Sequence, residues 1–205
     1  MVSSQLRTNN VSDPRIVAAM EAVARERFVP AERTALAYVD VPIPLSGGRA
    51  LNAPLVTARL IVESEIKAGE KVLLVGAATG YAAALLAELG AKVTALEVDE
   101  RLAATARAAL GKAPGITLAT GPLEAGWRKG APYDVVLIDG AIEAVPAAIA
   151  AQLSDDGRLL TGLVDNGVTR LARGRKAGQG IGLIPFVDLE TVRLPGFSAP
   201  SRFSF

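Results

Sequence analysis

Apolar residues recur with a helical period in the first third of the chain. From Ile16 to Val23 they lie three or four positions apart, directly after Asp13 and Pro14, which suit a helix N-cap and a first helical turn. This pattern predicts a helix over residues 13–27. Similar reasoning predicts a short helix over 30–38 and a longer one over 54–66.

The stretch between the second and third of these helices has no helical period. Prolines at alternate positions within residues 41–45 exclude both a regular helix and a central strand, so this stretch is predicted to be extended. Residues 46–52 contain two adjacent glycines, Gly47 and Gly48, and are predicted to form a flexible loop.

From residue 71 onward, short β-rich runs alternate with Ala- and Leu-rich stretches of helical length. Strands are predicted over 71–75, 92–97, 116–119, 133–138 and 157–161, and helices over 81–89, 101–110 and 146–153. This alternation predicts an α/β fold of Rossmann-like type, with a doubly wound, mostly parallel sheet and helices on both faces. The arginine-rich stretch after Val168, with the glycines that follow and residues 181–194, is predicted to form an antiparallel hairpin with a solvated basic face.

The length of 205 residues suits a single domain, in which half of the residues are hydrophobic. We divide it into an N-terminal helical and loop cap (1–67), a cofactor-binding core (68–164) and a C-terminal hairpin extension (165–205). The net charge of +1 and the absence of a basic run argue against nucleic-acid and membrane partners. The polar N-terminus lacks an apolar signal core, so a cytoplasmic location is expected.

The chain contains neither cysteine nor histidine. These absences exclude disulfides, thiolate nucleophiles, His-based triads and most transition-metal sites, and no metal site is expected. Any chemistry must therefore rely on carboxylates, amides, hydroxyls, Lys and Arg, or on a cofactor that brings its own reactivity.

The loop after the first predicted core strand is the main candidate for a cofactor site. Gly76 and Gly80 allow the backbone to approach a ligand, and the next helix presents its positive end there. Glu97 ends the following strand, 17 positions after Gly80, where an acid accepts the hydroxyls of a ribose. A tight turn without ligand and a solvated strand-end acid remain the alternative interpretation.

The spacing of small residues separates two nucleotide classes. A dinucleotide fingerprint that starts at Gly76 places Tyr81 at its third small position, where the ring obstructs close packing of helix on strand. The tighter methyltransferase pattern wants glycine at positions 76, 78 and 80, and only Ala78 departs from it. S-adenosylmethionine is therefore the predicted cofactor, and an NAD-type oxidoreductase is an alternative that Tyr81 argues against.

Several motifs, in order along about residues 5–160, resemble those of protein-L-isoaspartate O-methyltransferases. They are Ala24-Arg-Glu-Arg-Phe-Val-Pro30, Ala37-Tyr-Val-Asp40 with Pro42-Ile-Pro44, Gly48-Arg-Ala-Leu-Asn-Ala-Pro54, Val72-Leu-Leu-Val-Gly-Ala-Ala-Thr-Gly-Tyr81, Gly126-Trp127, Ala131-Pro-Tyr-Asp134 and Asp156-Gly-Arg-Leu-Leu160. The resemblance implies a Rossmann-like methyltransferase fold. It also implies methyl transfer from S-adenosylmethionine to an isoaspartyl carboxylate of a damaged protein, leaving S-adenosylhomocysteine.

The resemblance assigns residues to the site. It implies cofactor contacts from Gly76, Ala78, Gly80, Glu97 and Gly121. A carboxylate with a pKa near ~4 is already ionised at neutral pH, so the reaction needs no base and suits a chain without histidine. The substrate is expected to be a protein or peptide.

Three departures from the family pattern fall in the predicted site. Where the family has Thr-Ile-Ser, this chain has Ala50-Leu-Asn52, so Asn52 is the candidate catalytic residue and Ala50 offers no donor. Leu74 replaces an acid before the glycine loop, and Pro122 replaces an acid after Gly121. Glu124 is a candidate substitute for the second acid. We therefore expect weaker cofactor binding and little isoaspartyl methylation, and a catalytically silent family member is the alternative function.

Four residues carry open alternatives. Asn52 is either a substrate contact or only the N-cap of the helix that follows. Asp139 and its neighbour Gly140 are either a ligand contact or a turn. Trp127 is expected to pack at a surface or edge rather than to serve as a substrate platform, and Arg49 is either an attractor for an anionic substrate or an ordinary loop arginine.

Overall fold

The structure is a computed structural model that describes residues 6–178 and 180–198. Its N-terminal third holds helix α1 (Pro14–Ala22), 3₁₀ turns at Arg25–Phe28 and Ala31–Leu36, strands β1 (Ile43–Pro44) and β2 (Ala50–Leu51), and helix α2 (Pro54–Ser64). The side chain of Asp13 caps α1 by accepting a hydrogen bond from the backbone N–H of Arg15. The predicted positions of α1 and α2 are confirmed at their beginnings.

The helix predicted over 13–27 ends early, at Ala22. Val23 and Ala24 adopt extended backbone conformations, which turn the chain so that Arg25 and Phe28 become buried. The helix predicted over 30–38 is a 3₁₀ turn, Ala31–Leu36, and it buries no side chain. Tertiary burial of two side chains has therefore overridden the helical pattern here.

The loop predicted to be flexible is instead a small ribbon. β1 and β2 pair antiparallel, with Ile43 opposite Leu51 and Pro44 opposite Ala50. A 3₁₀ turn at Ser46–Gly48 joins them, and Gly47 and Gly48 both adopt positive φ. The ribbon matters for the site because it fixes Arg49, which is buried.

A seven-stranded sheet follows in the order β5-β4-β3-β6-β7-β8-β9. The strands are β3 (Lys71–Val75), β4 (Lys92–Glu97), β5 (Ile116–Thr120), β6 (Tyr133–Ile142), β7 (Leu153–Asp165), β8 (Val168–Ala177) and β9 (Gly180–Val187). The helices are α3 (Tyr81–Glu88), α4 (Glu100–Leu110) and the single turn α5 (Ala147–Ala150). β3 to β7 are parallel and the last two strands antiparallel, so the predicted fold class is confirmed.

The predicted boundaries of four elements in the second half are wrong. β6 runs four residues past its predicted end, β7 extends four residues beyond its prediction at both ends, and α5 is shorter than its predicted span. The C-terminal hairpin ends at Val187 rather than near residue 194, because the chain then returns to the sheet. There the backbone N–H of Ala141 donates to Val192 O (2.7 Å), and that of Leu194 donates to Ala141 O (3.1 Å).

The sheet has a hydrophobic layer on each face. Along β3, Val72 and Leu74 belong to one core cluster and Leu73 and Val75 to the other, as the period of a strand requires. All four side chains are fully buried. None of the helices in the described residues is long and apolar enough to cross a membrane.

We predict that Glu65→Gly stabilises the fold. Glu65 follows α2 with a left-handed backbone (φ 49°, ψ 39°), which strains a residue that carries a Cβ. Its side chain is 64% exposed and lies 3.9 Å from Arg175, so little is lost with it. Relief of about 1–2 kcal/mol of left-handed strain, less about 0.5–1 kcal/mol for the extra backbone entropy of glycine, should raise the free energy of unfolding in urea by about 0.5–1 kcal/mol. Glu65→Ala is the matched control because it keeps the Cβ, and an equal gain in that variant would contradict the argument.

Candidate active site

The predicted glycine loop is a tight turn at the carboxyl end of β3. Gly76 and Gly80 adopt φ values of 81° and 98°, and Ala78 between them has a left-handed φ of 49°. The backbone N–H groups of Gly76 and Ala77 both donate to Leu96 O, at 2.9 and 3.0 Å. These bonds tie the loop to the end of β4, so Glu97 lies beside it.

Glu97 is 1% exposed and accepts five hydrogen bonds. Oε2 accepts from the backbone N–H of Ala78 at 2.7 Å and Oε1 from those of Val98 and Asp99. The other two donors are Nε and Nη2 of Arg49, at 3.3 and 2.9 Å from the two carboxylate oxygens. The acid predicted to hold a ribose is therefore paired with an arginine of the same chain.

Arg49 reaches this acid from the β1–β2 ribbon. Its side chain is 4% exposed, so both charges of the pair are buried. Its Nη2 lies 3.3 Å from the position that a Cβ would take on Gly76, so the guanidinium also covers the glycine loop. Nη1 is buried and makes no hydrogen bond within the described part of the chain. Arg49 is thus not an ordinary exposed loop arginine, and its role as an attractor for an anionic substrate stays a prediction.

Asn52 connects three segments and does not cap α2. Its Nδ2 donates to Asp139 Oδ1 (2.8 Å), and its Oδ1 accepts from the backbone N–H of Val192 (3.0 Å). Its carbonyl oxygen accepts from Arg25 Nη2 (2.7 Å). The N-cap of α2 is Ala53, so the capping interpretation of Asn52 is wrong.

Asp139 lies within β6, so the turn predicted there as an alternative is absent and the strand continues to Ile142. Besides the bond from Asn52, its Oδ1 lies 3.5 Å from Thr57 Oγ1. Burial raises the pKa of Asp139, and the hydrogen bond from Asn52 and the charges of Arg25 and Arg49 offset part of that rise. The sequence marked Asp139 as a candidate site residue because it is an acid that directly follows the mostly apolar run 133–138.

Tyr81 follows the glycine loop and packs inward rather than toward a ligand. Its ring lies 5.7 Å from that of Phe28, and the guanidinium of Arg25 sits 4.5 Å from its centroid. Burial raises the pKa of Tyr81 to about 12. The aromatic ring thus fills the position where a dinucleotide fold has a small residue.

Residues 191–198, the C-terminal return of the chain after the hairpin, lie over the same strand ends. A Cβ placed on Gly76 would be 3.0 Å from Leu194 Cδ1, and Gly140 is covered by the same side chain. Leu194 and Phe197 are 7% and 4% exposed and belong to the core cluster that contains Val75 and Leu96. Sequence reasoning missed this segment because it assigned residues 181–194 to a hairpin.

Gly121 lies at the end of β5, next to Glu97. Its backbone N–H donates to Glu97 O (3.1 Å), and a Cβ on it would be 3.7 Å from the ring of Trp127. Trp127 is half-buried, as edge packing predicts. The carboxylate of Glu124 lies against Gly196 in the C-terminal return.

We predict that substitution of Glu97 lowers the free energy of unfolding more than substitution of Arg49 does. Glu97→Gln leaves a buried guanidinium without an opposite charge and should cost about 3–5 kcal/mol. Arg49→Gln leaves Glu97 with its three backbone donors and should cost less, about 1–3 kcal/mol. Urea unfolding followed by Trp127 fluorescence measures both, with the exposed Arg107→Gln as control. A larger loss for Arg49→Gln would contradict this ranking.

The family model described as "Protein-L-isoaspartate(D-aspartate) O-methyltransferase (PCMT)" matches residues 1–190. A relative from Methylorubrum populi named protein-L-isoaspartate O-methyltransferase is 40% identical over 198 residues, which are 92% of each chain. One of the same name from Gloeobacter violaceus is 36% identical and covers 78% of this chain and 79% of its own.

Two solved structures share the fold. A protein-L-isoaspartate O-methyltransferase has a TM-score of 0.82 at 20% identity and covers 93% of this chain and 64% of its own. A Plasmodium falciparum protein named as a putative protein-L-isoaspartate O-methyltransferase, in complex with S-adenosyl-L-homocysteine, has a TM-score of 0.77 at 18% identity and covers 92% of this chain and 94% of its own. The family match over most of the length decides the assignment: as its motifs predict, this chain belongs to the protein-L-isoaspartate O-methyltransferase family.

Proposed function

We propose that this chain transfers a methyl group from S-adenosylmethionine to the side-chain carboxylate of an isoaspartyl residue in a protein. The observation that carries the proposal is Glu97, a buried acid at the carboxyl end of β4 beside the glycine loop, in a chain that belongs to this family. Relatives at 36–40% identity carry the name of this activity.

The framework of the site fits a nucleoside methyl donor. The loop meets the sheet where strand order reverses, with β4 on one side of β3 and β6 on the other, and ligands of such folds bind at that point. Glu97 would hold the ribose, and Gly76, Ala78, Gly80 and Gly121 would line the rest. When bound, this cofactor supplies an electrophilic methyl group on a sulfonium.

Two substitutions weaken the fit. Leu74 is a fully buried core residue and cannot replace the acid of the family pattern. Pro122 has neither a side-chain acceptor nor a backbone donor, and Glu124 faces Gly196 instead. One missing hydrogen bond of this kind should weaken cofactor binding by about 0.5–1.5 kcal/mol.

The reaction asks the protein for orientation rather than for a base. An acceptor carboxylate is ionised at neutral pH; its oxygen forms a bond to the methyl carbon while the carbon–sulfur bond breaks and its electron pair stays on sulfur. Burial raises the pKa of Asp139, and the charges of Arg25 and Arg49 partly offset that rise, so the negative charge near the acceptor is partly balanced by two arginines. Asn52 Nδ2 is the candidate donor to the acceptor carboxylate.

The acceptor side is poorly equipped in this chain. Ala50 offers no hydroxyl, and both side-chain polar atoms of Asn52 are engaged, with Asp139 and with the backbone of Val192. In-line transfer tolerates little misplacement, and a shift of about 1 Å costs on the order of a hundredfold in rate. We therefore expect slow methylation of isoaspartyl substrates.

The test is methyl transfer to an isoaspartyl peptide, with the normal aspartyl peptide as substrate control. The wild-type chain should slowly form a methyl ester on the isoaspartyl peptide but not on the aspartyl peptide. The ester is identified by its hydrolysis in base. The double variant Ala50→Thr, Asn52→Ser restores two hydroxyls, which should raise the rate by roughly a hundredfold.

No transfer by either protein would contradict the proposed function. Rapid transfer by the wild type would keep the function but refute the argument from Ala50 and Asn52.

The cytoplasmic location and the division into three parts stay predictions of the sequence.

A further inference from the structure

We propose that the chain closes its own cofactor crevice with two elements, Arg49 and the C-terminal strap, which we define as residues 191–198. Cofactor binding then requires both elements to move. This inference rests on the proposed function for the identity of the ligand, but the closing contacts themselves are independent of it.

The first element is the guanidinium of Arg49 on Glu97. Each carboxylate oxygen of Glu97 already accepts one bond from Arg49 and at least one from the backbone. Ribose hydroxyls that bind Glu97 therefore compete with a charged, buried donor of the same chain. Charge-assisted bonds of this kind are stronger than neutral ones, so the competition favours the closed form.

The second element is the C-terminal strap. Backbone hydrogen bonds join it to the end of β6: Ala141 N–H to Val192 O, Leu194 N–H to Ala141 O, and Glu143 N–H to Phe197 O at 3.3 Å. They place the Leu194 side chain on Gly76 and Gly140, where the backbone of the glycine loop would otherwise be open to a ligand. The apolar side chain of Leu194 thus covers the backbone surface that Gly76 and Gly140 leave open.

The strap also reaches the acceptor side. The backbone N–H of Val192 donates to Asn52 Oδ1, and Asn52 Nδ2 donates to Asp139. Displacement of the strap therefore uncovers Gly76 and frees Oδ1 of Asn52, while Nδ2 of Asn52 stays bonded to Asp139. This linkage makes cofactor entry and the loss of one restraint on Asn52 a single conformational event.

The closed form sets the apparent affinity. When only a fraction of molecules is competent to bind, the apparent Kd rises by the inverse of that fraction. Weakening either closing element raises the open fraction and should tighten binding without any new contact to the ligand. A contact that merely stabilised the fold would have the opposite effect or none.

The experiment is calorimetric titration with S-adenosylhomocysteine of the wild type, Arg49→Gln, Leu194→Ala and the double variant. We expect each single variant to bind about tenfold tighter or more than the wild type. Arg107→Gln removes an exposed arginine of α4 and should match the wild type. Equal affinity of the wild type and all variants would overturn the closure and leave the proposed function standing.

Hydrogen exchange of the ligand-free protein gives a second measurement that needs no cofactor. The amides of Ala141, Glu143 and Leu194 should be protected in the wild type and exchange faster in Leu194→Ala. Rapid exchange of these amides in the wild type would overturn the closure. If no variant binds S-adenosylhomocysteine while the wild-type amides are protected, the closure stands and the proposed function fails.

Discussion

The buried ion pair between Arg49 and Glu97 joins two parts of the chain that are 48 residues apart. Two charges are removed from water there, which is costly unless each is fully hydrogen-bonded. Glu97 meets this condition with three backbone donors of the loops after β3 and β4 in addition to Arg49, whereas Nη1 of Arg49 makes no hydrogen bond within the described residues. The pair therefore fixes the β1–β2 ribbon against the sheet and gives the glycine loop its shape.

The other polar contacts of the site follow from this attachment. With the ribbon held against the sheet, Asn52 reaches Asp139 within β6 and the backbone of Val192 in the C-terminal strap. The strap in turn places Leu194 over Gly76, next to Arg49. Ribbon, glycine loop and strap thus meet above the strand ends, where a family member is expected to hold its cofactor.

The sequence predicted the framework better than the contacts. The spacing of apolar residues and the glycines that mark turns located β3, β4 and the loop at Gly76–Gly80, because strand and turn preferences are local. They could not reveal that Arg49 pairs with Glu97 or that residues 191–198 return to β6, because both are set by partners distant in the chain. The early end of α1 at Ala22 has the same origin, since burial of Arg25 and Phe28 outweighed helical propensity. Asn52 is not the N-cap of α2 and bridges three segments, while its catalytic role stays a prediction.

A crystal structure with S-adenosylhomocysteine tests the closure of the crevice directly. We expect the ribose hydroxyls on Glu97, the guanidinium of Arg49 withdrawn from that carboxylate, and Leu194 moved off Gly76. The same crystal form without ligand should show the Arg49–Glu97 pair and the strap in place. Ligand bound at these strand ends with the pair intact and Leu194 unmoved would contradict the account.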